Sequence, residues 1–222
     1  MHSTLIDLMQ SALCTAAFAI FLLPPGYLAA RLFNLKNMRA HSGAEQLLWS
    51  VALSIPLALV LAELLGRVQK PAAVLGVFFA MALAAVVVLV DTRKTPAAPI
   101  SREACLITTA ALLLGAYLLI TLVDVQVGNR LFVPTVITDW GVRIPFVESA
   151  IRGPVPPLNP LSALQPAVPS MRYYYFWYLL CALPGRMLHT PPGGVLAASA
   201  VWAGFALFAV AFLSLKYLVG VR

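Results

Sequence analysis

One stretch of this sequence concentrates the residue types that chemistry needs. Asp139 is followed at helical spacing by Arg143, and Arg172 is followed by an unbroken aromatic run from Tyr173 to Tyr178. A carboxylate beside an acceptor oxygen is what base catalysis requires, and a guanidinium grips phosphate through paired hydrogen bonds. Asp139 also has a plainer use: at the head of a helix its carboxylate caps free backbone N–H groups. Arg143, one helical turn on, is placed to pair with Asp139, which lowers the carboxylate pKa and makes it a poorer base. Aromatic rings gather where a membrane helix meets the lipid headgroups. A run this long nevertheless covers every face of a helix, so some of its hydroxyls are expected to line a polar site.

Those residues need elements to hold them. Trp140, Ile144, Val147 and Ile151 recur at helical spacing and would share one face, and Gly153-Pro154 is a stop signal. The spacing predicts an amphipathic helix along the membrane surface, with Asp139 at its head and Pro145 in its first turn or at a kink. The stretch from Pro154 to Pro160 is too proline-rich for helix and reads as stiff, extended chain. These pieces belong to one long connection, residues 124–172, which is too patterned to be a mere linker.

The rest of the chain is membrane material. Of 222 residues, 61% are hydrophobic and 10% charged, against about 25% charged in a soluble domain. That excludes an ordinary soluble enzyme and a disordered tail. The net charge of +7 does not imply nucleic acid as a partner, because its Lys and Arg stand singly between apolar runs. Apolar segments at about 5–30, 47–65, 72–90, 104–123 and 195–219 approach or exceed the about 20 residues that cross a bilayer. The segment at 173–183, cut short by Pro184-Gly185, reads as a short kinked span or as a helix that enters the membrane beside protein, and is counted as a span. The first segment is expected to be interrupted at Pro24-Pro25-Gly26. The fold class is therefore all-α: a polytopic transmembrane bundle of about six helices. It divides into four helices in 1–123, a loop with an interfacial helix in 124–172, and two helices in 173–222. Arg31, Lys36 and Arg39 in the first connection, with Arg93, Lys94 and Arg102 in the third, place those connections in the cytoplasm. The N-terminus, which lacks the basic region of a signal peptide, and the loop 124–172 are then extracytoplasmic.

Outside the loop little rises above background. Cys14, Cys105 and Cys181 are far apart and read as buried thiols, not as a disulfide or zinc framework. Asp7 and Glu63 lie near segment ends and read as water-reachable, whereas Asp124 opens the loop as a candidate second carboxylate for the same cleft, ranked below Asp139 because no motif surrounds it. Asp91 and Glu103 read as charge balance for neighbouring cations. No phosphate-binding glycine loop, nucleophile elbow or zinc helix is present.

Taken together, several motifs resemble a known family. An acidic residue at the head of an amphipathic helix, Pro156-Pro157-Leu158-Asn159-Pro160, and Arg172-Tyr173-Tyr174-Tyr175 opening a membrane helix resemble the first large loop of GT-C-type membrane glycosyltransferases. The likeness is to bacterial protein mannosyltransferases and aminoarabinose transferases, and Leu23-Pro24-Pro25-Gly26 with Glu45-Gln46-Leu47-Leu48-Trp49 resembles their leading helices. The resemblance implies an integral protein of the bacterial inner membrane. Its donor would be a polyprenyl-phosphate-linked sugar and its acceptor a cell-envelope molecule. Asp139 falls on the family's loop carboxylate, as base or metal carboxylate. Arg143, Arg172, Tyr173 and Tyr174 fall on its substrate-binding stretch, and no cofactor is assigned beyond an optional divalent metal. Arg143 stands where the family commonly has His, replacing a titratable group with a permanent cation. Family members carry about twice as many helices, so the chain is expected to be an N-terminal portion, a reduced protein or a partner subunit, needing further membrane helices. A non-catalytic protein with a transferase-derived fold, and then a transporter, are the alternatives.

Overall fold

The computed structural model describes residues 2–35, 43–68, 70–92, 102–133, 137–162, 168–172 and 175–219. The described chain is an all-α polytopic bundle. Helices α1 (His2–Leu32), α2 (Gly43–Val68), α3 (Pro71–Thr92) and α4 (Arg102–Leu122) lead into a hairpin of β1 (Val125–Val127) and β2 (Arg130–Phe132). Then come α5 (Ile137–Arg152), α6 (Tyr175–Leu188) and α7 (Pro192–Ser214), which continues to Val219 in a wider π turn. Five of the described helices, α1–α4 and α7, are long and apolar enough to cross a membrane, making the chain a multi-pass integral membrane protein.

Helix α1 runs through Pro24 and Pro25 without the expected interruption. Both prolines and Gly26 are buried, and packing against neighbours offsets the lost backbone bond. A Cβ on Gly26 would collide with the Ser50 carbonyl and the Ser54 hydroxyl of α2, so the two helices approach here as closely as backbones allow. The core lies between α1, α2 and α7, around Phe18, Phe21, Leu22, Leu48, Val195 and Val201, each almost wholly buried. Helices α3 and α4 pack by one edge, Phe78 of α3 meeting Phe21 edge-on at 5.7 Å, and turn most of their apolar side chains outward.

Helix α6 falls on the segment counted as a kinked span and runs through Pro184. Tyr175, the first residue of α6, donates a hydrogen bond to Glu63 at 2.7 Å. Thr190, just beyond its end, lies 3.1 Å from the Cys14 sulfur. At 14 residues, about 21 Å, α6 is shorter than the five helices long and apolar enough to cross a membrane. Helix α7 then runs back down beside α1, from Gly194 at Ser11 to Lys216, whose Nζ is 3.3 Å from Glu45. The end of the bundle carrying α5 and α6 is the loop end.

The amphipathic face predicted for α5 exists, and it faces protein. Val147 and Ala150 are fully buried, and Trp140, Ile144 and Ile151 pack on the core. Phe146 stacks on Tyr178 of α6 at 5.4 Å, and a Cβ on Gly185 would meet Ile151 at 2.7 Å. Arg186 of α6 fastens the far end: Nε donates to Ile151 O at 2.8 Å, and one terminal nitrogen donates to Ala150 O at 2.6 Å and Gly153 O at 3.0 Å. These are carbonyls that a helix C-terminus leaves without intrahelical partners. Burial pushes the Arg186 guanidinium below its ordinary value, although the three carbonyls hold the charge. The proline stretch folds back: Asn159 N donates to Pro169 O at 2.8 Å and Met171 N to Pro157 O at 2.7 Å, while Val155 rests on Gly66 of α2.

Candidate functional site

The described residues at the loop end carry several cavities, two of which share Trp140, and one buried polar cluster. The first cavity, about 290 Å³, lies between the head of α1, the end of α4, α5 and the head of α7. Asp7, Gln10, Ser11, Asp124 and Trp140 line it, with Gly193 and Gly194 as a side-chain-free wall. Asp124 is therefore a cleft carboxylate, as its place at the head of the loop suggested. Asp7, read from sequence as an ordinary solvated end residue, is exposed and shares the cavity wall with it.

A second cavity, about 410 Å³, lies across Trp140. Its wall includes Arg143, Trp177 and Ser199, so Trp140 borders a carboxylate-lined space on one side and an arginine-lined space on the other. Arg143 also makes the predicted pair with Asp139, Nε to Oδ2 at 2.8 Å, and both side chains are about half exposed, at 48% and 58%. Asp139 stands in the first turn of α5 and is not part of either cavity wall. An exposed pair of this kind contributes about 0.3–0.5 kcal/mol to a helix.

The third feature was not anticipated. Glu63 is buried, 8% exposed, where the sequence suggested a water-reachable segment end. Its Oε1 accepts from the Tyr175 hydroxyl at 2.7 Å and from Arg67 Nε, and Arg67 also donates to the Tyr175 hydroxyl at 3.0 Å. Its Oε2 is buried with no hydrogen-bond partner among the described residues. Burial and the adjacent Glu63 carboxylate hold the Tyr175 hydroxyl above its ordinary value, outweighing the pull of Arg67. The i, i+4 spacing of Glu63 and Arg67 was the visible signal; the distant Tyr175 that makes it a cluster was not. Arg172 is exposed, and Tyr173 and Tyr174 lie outside the described residues.

No protein-family model, curated protein or solved structure matches the chain. The GT-C likeness therefore rests on the sequence motifs alone. A divalent metal has no evident ligand set: among the described residues no group of three His, Cys, Asp or Glu side chains could hold one. Cys14 and Cys181 are buried, as expected, whereas Cys105 is on the outer face of α4.

Proposed function

We propose that this chain is a GT-C-like membrane glycosyltransferase, or the N-terminal portion of one. It would move a sugar from a polyprenyl-phosphate donor to a cell-envelope acceptor at the extracytoplasmic face of a bacterial inner membrane. The observation that carries the reading is the pair of cavities divided by Trp140. Inverting transfer needs a base beside the acceptor oxygen and positive charge beside the departing phosphate. Asp7 and Asp124 supply carboxylates on one side of the indole, and Arg143 a guanidinium on the other. The aromatic face between them suits a sugar ring. In this assignment Asp124 removes the acceptor proton, and Arg143, held by Asp139, meets the phosphate. Asp139 becomes a positioning residue for Arg143, because it pairs with that side chain and lines neither cavity. Arg172, Tyr173 and Tyr174 are the residues that the resemblance assigns to donor binding.

The test is transfer by the purified chain in lipid nanodiscs, with a labelled polyprenyl-phosphate sugar and envelope extract as acceptor. Asp124→Asn should lower turnover by at least a hundredfold with the chain still inserted, as loss of a general base does. Asp139→Asn should raise the donor KM more than it lowers kcat. Equal turnover in wild type and Asp124→Asn would sink the assignment. The exposed Asp139–Arg143 pair, which needs no catalytic explanation, favours the second reading, a non-catalytic partner subunit, which predicts no transfer by any variant.

A further inference from the structure

At the end of the bundle opposite the loop, α1, α2 and α3 enclose a groove of about 590 Å³. Its walls are almost wholly apolar: Ile20 and Leu23 of α1, Leu47 of α2, and Ala85, Val86 and Leu89 of α3 among them. The α1 wall extends from Ala19 to Tyr27, about 12 Å at helical rise. A dry apolar groove at this depth is not a water site. Polar groups join the lining towards the α1–α2 connection, where Tyr27 and Gln46 stand. The Tyr27 hydroxyl is buried and lacks a hydrogen-bond partner among the described residues. Above it, the Arg31 guanidinium sits 6.0 Å from the Tyr27 ring and makes no ion pair among the described residues.

Local charge selects the occupant. The nearby carboxylate, Glu45, is buried and already bound by Tyr217 and Lys216, so it does not neutralise Arg31. In sequence, the connection from α1 to α2 adds Lys36 and Arg39 and no acidic residue. We infer that the groove is a binding site for one anionic phospholipid of the leaflet opposite the loop end. One acyl chain lies between α1, α2 and α3, the phosphate meets Arg31, and an ester carbonyl accepts the Tyr27 hydroxyl. Basic pockets between membrane helices hold anionic headgroups in this way. The site is separate from the loop-end cavities and does not depend on the proposed transfer reaction.

The full chain in nanodiscs of equimolar phosphatidylglycerol and phosphatidylcholine, with matched acyl chains, provides the test by native mass spectrometry of retained lipid. The expected preference for phosphatidylglycerol is about fivefold, the effect of one cation near a membrane surface. Arg31→Gln should abolish the preference and Arg31→Lys keep most of it. Ala85→Phe, which fills the groove from α3, should reduce retention of both lipids. Equal retention of the two lipids by wild type would overturn the inference. So would an unchanged preference in Arg31→Gln, undiminished retention in Ala85→Phe, or displacement of the lipid by millimolar inorganic phosphate. If Arg31→Gln fails to insert, the lysine and phenylalanine variants still decide.

Discussion

Replacing Arg186 by methionine isolates the join between α5 and α6. The guanidinium donates three hydrogen bonds, to Ala150, Ile151 and Gly153, at 2.6, 2.8 and 3.0 Å. Hydrogen bonds to a charged group contribute about 1.5 kcal/mol or more each, so their loss costs about 4–5 kcal/mol. Burial disfavours the charged guanidinium, so methionine recovers part of that loss. The net cost is about 3 kcal/mol, a hundredfold or more in an opening equilibrium. Because the bonds fasten the C-terminal turn of α5, the opening should be local. Hydrogen exchange of the α5 amides should accelerate by about two orders of magnitude while the α1–α2 core around Gly26 is unchanged. Arg186→Lys, with one nitrogen in place of a fork, should fall between. Equal protection of α5 in wild type and Arg186→Met would refute the view that this side chain secures the cap.

Other positions give sharper or smaller effects. Gly26→Ala drives a methyl group into the Ser50 carbonyl and should lower the thermal midpoint in detergent by more than any other glycine-to-alanine change in α1–α4, with Gly76→Ala, which faces open space, as the neutral control. Tyr175→Phe removes the donor from buried Glu63 and should cost about 2 kcal/mol in denaturant titrations near pH 7. Tyr175 has a raised pKa in the folded chain, so its contribution is complete below the ordinary tyrosine value of about 10 and is lost as pH rises through the higher folded value. The stability gap between wild type and Tyr175→Phe should therefore be constant from pH 7 to 9 and close above pH 10 or so. Asp139→Asn should change stability by less than about 0.5 kcal/mol, as befits an exposed pair.

Composition and periodicity carried the membrane class and the amphipathic face of α5, because hydropathy and helical spacing are local properties. Asp139 and Arg143 paired as their four-residue spacing implied. What failed depended on partners remote in sequence. Tyr173 to Leu183 looked like a span by content, whereas α6 is a 14-residue helix whose first residue is tied to Glu63, a partner the local sequence does not show. Glu63 was dismissed because its position in the chain is terminal; its burial comes from Tyr175, 112 residues away. Pro24 and Pro25 announced a break that the contact of Gly26 with α2 overrides. The hairpin at Gly128, where φ of +59° suits a residue without a side chain, was too short to leave a periodic signal. The two cavities meet at Trp140 only when α1, α4, α5, α6 and α7 are assembled, and no one segment shows that.

The central claim is that a lipid-linked sugar binds at Trp140. A polyprenyl-phosphate sugar carrying a photoreactive group on the sugar ring, activated with the full chain in nanodiscs, tests it most directly. Crosslinked peptides should cluster at the cavity walls, around Trp140, Asp124 and the head of α7, and Trp140→Ala should lower the yield at least tenfold. Labelling spread over the outer faces of α3 and α4, or unchanged by Trp140→Ala, would contradict the claim.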